Sequence, residues 1–212
     1  MVDRRRVSGR QGEISGPGRH PRGQSLVEFA LVLPMLLVLL LGIADFGRVF
    51  QAGITMEAAA RNGAEAAAQE YLQLVRGATL PLPTGDYQRL HDLAVESVCE
   101  EASALQNAST GTPCGMPVVA VCIHDGHDPL CAAEAGAAPT ACSSIRSMSS
   151  SPANLAPDGV NGGRLPSVEV RACYQFRPLI ITGVLTLPFG AGLSLGDVWL
   201  QKDRWFTVAS YL

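Results

Sequence analysis

Charge is scarce in this sequence, and so are the signatures of catalysis. Asp, Glu, Lys and Arg make up 17% of the 212 residues, against 47% hydrophobic ones, so a core of useful size can be buried. No phosphate-binding glycine loop, dinucleotide fingerprint or HExxH motif occurs. The one literal GxSxG, Gly192 to Gly196, lacks the following helix and the later histidine that a nucleophile elbow requires, because the last histidine is His127. It reads as a strand with flanking glycines. No cysteine precedes Cys99, and none of the six stands in a CxxC pair. The expectation is a protein that is not an enzyme and carries no cofactor.

What charge there is falls unevenly. Residues 1–23 hold six Arg against Asp3 and Glu13, about +4, whereas the remainder holds ten Lys or Arg against seventeen acidic residues, about −7. The sign changes where an apolar run begins. From Phe29 to Ala44 every residue is uncharged, and Leu26, Val27 and the weakly polar flanks bring the stretch to about the minimum that spans a bilayer. A buried core helix is the bland alternative, but nothing in the run offers a polar face. The basic tail places the N-terminus in the cytoplasm by the positive-inside rule. Cys99, Cys114, Cys122, Cys131, Cys142 and Cys173 all follow the run, and their even number reads as disulfides in an oxidising compartment. Topology and redox chemistry therefore place the C-terminal part outside the cytoplasm, on different residues. A cleaved secretory signal stays open, since Gly42-Ile43-Ala44 is a small-x-small triplet that would leave Asp45 as the new terminus.

Within the run's approach, RGQSLVEFALVLP, the odd residue is Glu28, a carboxylate at the edge of hydrocarbon. Such a group is costly there and is usually paired. Cleavage after Gly23 would give Gln24 a new α-ammonium that can neutralise the Glu28 of a neighbouring subunit. A residue snorkelling to headgroups is the plainer alternative. Gly23, then Glu28-Phe29 five residues on, then an apolar stretch resembles the class III signal of type IV pilins and pseudopilins. More closely, GQSLVEFALVLPMLLVLLLGIADFGRVF resembles the TadE-like proteins of the tight-adherence (Flp-type) pilus system, over about residues 22–64. The matching positions are Gly23, Glu28, Phe29, Pro34, Asp45 and the Ala-rich continuation. The resemblance implies a non-catalytic minor pseudopilin of the cytoplasmic membrane, recognised by a prepilin peptidase at Gly23 and Gln24. Glu28, with Phe29 and Pro34, would then serve assembly with other Tad pilus or platform subunits. Pro34, mid-span, would kink the helix or free a carbonyl that neighbouring helices satisfy. The different class of function is a tethered or secreted binding module that uses a disulfide-stapled loop.

Residues 1–22 are expected to form a disordered cytoplasmic tail, whose six Arg without aromatics serve topology rather than nucleic acid. Residues 23–46 are read as the transmembrane helix, N-terminus inside. Residues 47–106 are read as its extension and a second helix, the first running unbroken from Ser25 to Arg76 and stopping at Gly77. The outer half would bury Ala59, Ala66, Ala67, Tyr71, Leu74 and Val75. Tyr87 to Leu105 carries an apolar face of Tyr87, Leu90, Ala94, Val98, Ala102 and Leu105, with Thr84 or Asp86 as cap. Residues 107–212 are read as a disulfide-stapled antiparallel region. Its strands are Pro117 to Ile123, Ser167 to Arg177, and a hairpin of Gly192 to Gln201 with Arg204 to Tyr211 turning at Lys202-Asp203. The segment 124–166 is a long loop without apolar periodicity. The fold class is thus α+β with a small antiparallel sheet, pilin-like. Cys131 with Cys142, Cys122 with Cys173 and Cys99 with Cys114 are one of fifteen pairings. Cys122, His124, Asp125, His127, Asp128 and Cys131 are zinc-compatible in type, but in an oxidising compartment the cysteines are expected to pair with each other. Asp45 and Arg48, at i and i+3, are read as a solvated boundary rather than a pair.

Overall fold

A computed structural model describes residues 24–109, 114–149, 156–157, 164–178, 185–186, 192–193 and 198–208. The chain divides into two compact units, Met1–Leu40 and Leu41–Leu212. Helix α1 runs from Gln24 to Val75 with Pro34 inside it. In the first unit its described side chains are almost all exposed, and in the 18-residue window that is apolar enough to cross a membrane none is buried.

In the second unit α1 buries Ala52, Met56, Ala59, Ala60, Ala64, Ala67, Ala68 and Tyr71. Small side chains let a second helix come close, which supplies the packing that an Ala-rich helix lacks alone. Of the expected stripe, Ala59, Ala67 and Tyr71 are buried, whereas Ala66, Leu74 and Val75 are half-buried. The helix ends as the glycine demands: Gly77 takes φ 87° and Ala78 N–H donates to Val75 O at 3.2 Å. Helix α2 spans Thr84–Glu101, with a 3₁₀ turn at Ala102–Ala104. Its cap is Pro83, not the expected Thr84 or Asp86. No side chain caps it, and the Pro83 carbonyl receives Asp86 N–H at 2.9 Å instead. The expected face is buried from Tyr87 to Ala102, with His91 added to it and Leu105 half-buried.

Strand β1 is Val118–His124, followed by the short helices α3, Cys131–Ala137, and α4, Ser143–Arg146. Two-residue pieces β2 (Ala156–Pro157) and β3 (Arg164–Leu165) pair with each other, as do β5 (Leu185–Thr186) and β6 (Gly192–Leu193). The ten-residue strands β4, Ser167–Phe176, and β7, Val198–Thr207, join β1 in an antiparallel sheet of order β1-β4-β7. This is the expected α+β class.

Alternation along β4 sends Val168, Val170, Ala172, Tyr174 and Phe176 into one core with α1 and α2. The opposite face, through Ala120, Cys122 and Cys173, meets α3, α4 and Met148 in a second core. The segment expected to be a loop from 124 to 166 therefore holds two helices that roof the sheet, and β4 is buried on both sides.

Two further expectations are corrected. The strand β7 does not turn at Lys202-Asp203. It continues, with Lys202 opposite Ala172 and Asp203 opposite Arg171, because a full ladder along β4 outweighs the local turn preference of the dipeptide. The disulfides are Cys99–Cys114, as expected, and Cys122–Cys131 and Cys142–Cys173, which were not. The strands bearing Cys122 and Cys173 are neighbours, but the register sets Cys173 opposite Val118. Four residues along a strand are about 13 Å, beyond the roughly 7 Å that a disulfide can bridge.

Candidate anchoring and assembly site

The residues singled out for assembly lie at the start of α1. Gly23 lies outside the described residues, and Gln24 is the first residue of the helix. Glu28 and Phe29 follow in its second turn with their side chains exposed, and Pro34 lies within the exposed stretch. A prolyl nitrogen cannot donate, so the helix gives up one bond to the carbonyl four residues back, at Ala30. An exposed apolar helix of this length with a carboxylate in its opening turns is poorly suited to water and well suited to a bilayer with a cationic partner at its edge.

In the second unit the charges that follow the apolar run are used internally. Asp45 is only 8% exposed, and Arg48 Nη1 donates to its Oδ1 at 2.8 Å. The Arg48 guanidinium also meets Gln106 and lies 5.3 Å above the Phe176 ring. Tyr174 donates its hydroxyl to Gln106 O. A cavity of about 160 Å³ opens among these groups. This corrects the solvated boundary expected at Asp45 and Arg48: the pair is a fastening between α1 and the sheet. Three-residue spacing suggested the pair, but Gln106, Tyr174 and Phe176 are brought to it only by the fold.

A second polar cluster has no counterpart in the sequence reading. His91, 1% exposed, sits between Asp128 Oδ2 at 2.9 Å and Glu134 Oε1 at 2.6 Å. Carboxylates only accept, so an imidazole bonded on both nitrogens is the doubly protonated cation. Burial would push its pKa down, but the hydrogen bonds to Asp128 and Glu134 and their charges overcome this and raise it to about 9. Asp128 is held below the ordinary carboxylate range: burial opposes ionisation, and the bond to His91 outweighs it. The same carboxylates accept Ile123 N–H at 2.8 Å and Val121 N–H at 2.7 Å. These are outward-facing donors of β1, the edge strand, so the edge is closed by side chains rather than by another strand. Next to them Tyr71 and Tyr87 both donate to Asp125 Oδ2, at 3.1 and 2.5 Å, and burial with that carboxylate raises both phenols. One signal was legible: His91 is four residues after Tyr87 and shares its buried face.

On the other side of the sheet Glu169 is fully buried and accepts from Arg171 Nε at 2.5 Å and His124 Nε2 at 2.8 Å, while Trp205 stacks on His124 at 4.5 Å. Arg171 reaches on to Ser144 O and to Ser147 Oγ, tying α4 to β4. Most of the zinc-compatible group has other partners. Cys122 and Cys131 are bonded to each other, His124 faces Glu169, and Asp125 and Asp128 face tyrosines and His91. No cluster of three or more His, Cys, Asp or Glu among the described residues could hold a metal ion. Ser194 and Gly196 of the GxSxG lie outside the described residues.

Residues 23–65 match the family model described as TadE-like protein, the family that the sequence resembles. The match begins at Gly23, takes in Glu28, Phe29, Pro34 and Asp45, and ends within α1, before α2 and the sheet. No curated protein matches the chain. No solved structure matches it either.

Proposed function

With a TadE-like segment as premise, we propose that this protein is a membrane-anchored minor pilin, or pseudopilin, of a Tad (Flp-type) pilus assembly or secretion system. It acts without catalysis. The observation that carries the reading is the placement of Glu28 in the opening turns of an exposed apolar helix, within the matched residues 23–65. Residues 23–46 anchor it in the cytoplasmic membrane with the N-terminal tail inside. The disulfide-bearing part, with three bridges in its second unit, sits outside, where thiols oxidise. A prepilin peptidase removes residues 1–23, and the new ammonium of Gln24 on one subunit meets Glu28 on the next, at the edge of the hydrocarbon.

Two measurements test this. N-terminal sequencing of the mature protein is expected to start at Gln24; a start at Asp45 makes the protein secreted, and an intact terminus makes the helix a plain anchor. The Glu28→Gln substitution is expected to abolish co-purification of other pilus subunits with the chain. Normal piliation and unchanged partners in that variant would refute the assembly role.

A further inference from the structure

The charge-free run Phe29 to Ala44 is closed in sequence by Asp45 and, three residues on, Arg48. The two charges that close the run in sequence do not close it in space. Asp45 is buried, and Arg48 is turned onto Asp45, Gln106 and the Phe176 ring, on the side of α1 that packs against the sheet. The opposite side of the helix goes on without a charge: Ile43, Phe46, Phe50 and Ile54 are 61, 73, 64 and 56% exposed, at spacings of three and four. The first charge on that side is Glu57, ion-paired with Lys202 at 3.3 Å and with Arg204, both on β7. The pairing of one carboxylate with two cations leaves a net positive charge one turn beyond Ile54.

We infer that the face Ile43-Phe46-Phe50-Ile54 is a lipid-binding surface. α1 leaves the bilayer one side at a time: the packed side emerges at Asp45, while the opposite side stays in the outer leaflet to Phe50 and in the headgroup layer to Ile54. Lys202 and Arg204 then stand at the depth of the phosphates. The occupant is phospholipid rather than a neighbouring helix because the face continues a run that lipid must solvate and closes on cations at phosphate depth. The inference rests on the reading of α1 as membrane-spanning, and deepens it by naming phospholipid as what covers this face of α1.

The test is site-directed spin labelling of the oxidised full chain in phospholipid vesicles, with one introduced cysteine at a time: Leu36→Cys, Phe50→Cys, Ile54→Cys and Arg61→Cys. The ratio of oxygen to aqueous-quencher accessibility is expected to be several-fold higher at 36, 50 and 54 than at 61. If 50 and 54 are as aqueous as 61 while 36 stays in lipid, this inference fails and the membrane span stands. If 36 is itself aqueous, the span fails too. Spin–spin broadening at 50 that survives dilution of the protein in lipid would show the face covered by a second copy, and would overturn the assignment to lipid.

Discussion

Raising the pH from 6.5 to 9.5 should weaken the second unit, and His91 is the reason. Its folded pKa, about 9, lies above the ordinary value of 6.5, so the charged form is the one the fold stabilises. That contribution is fully present below pH 6.5, declines as the pH rises toward 9, and is gone above it. A shift of about 2.5 units corresponds to ~3 kcal/mol, with little discount for solvent because the ring is 1% exposed. The lowered Asp128 sets the acid side: its stabilisation holds above the ordinary carboxylate value of 3.8 and is lost as the pH falls through the folded one. The cluster should therefore be most stabilising between about pH 4 and 6.5. The assay is denaturant unfolding of the oxidised chain in nanodiscs, followed by fluorescence of Trp199 and Trp205, which lie on β7. The wild-type midpoint should drop from pH 6.5 to 9.5, while His91→Gln should start lower and lose most of the slope. An equal slope in that variant would show that another group titrates there and that the bridged imidazolium is not what holds the edge of β1.

Other expectations follow from packing and covalent structure. A Cβ at Gly63 would lie 2.6 Å from Val98 Cγ2 and 2.9 Å from Ala94 O, so Gly63→Ala should push α1 from α2 and lower stability by about 1–3 kcal/mol in the same unfolding assay. Non-reducing peptide mapping should recover Cys122 joined to Cys131 and Cys142 joined to Cys173; a Cys122–Cys173 peptide would refute the register of β1 on β4. Replacing Cys142 and Cys173 together by Ser opens a bridge between residues 31 apart and should cost about 2–4 kcal/mol by denaturant midpoint.

Several parts of this protein were legible because they depend on neighbours in the chain. The helix of α1 follows from its uninterrupted apolar and Ala-rich run, and its stop from a glycine at φ 87°. The core face of β4 follows from strict alternation. Glu28 stands out because a charge at the mouth of an apolar run needs no fold to be noticed. The misreadings share a cause. Lys202-Asp203 has turn chemistry, yet each of its residues has a partner on β4. The 124–166 segment lacks periodicity because α3 and α4 are too short to display one, and their stability comes from two disulfides and the face of the sheet.

The linear order of residues by itself determined the apolar span, the charge asymmetry about it, the position of Glu28 and the α+β succession, since each is a property of local composition and period. Only the tertiary structure decided which cysteines pair, which carboxylates enclose His91, and that Asp45 and Arg48 turn inward to Gln106 and the Phe176 ring. Those outcomes depend on strand register and on which distant segments the fold brings together. A shift of one residue in register would turn every side chain of β1 to the other face, and no local pattern records that choice.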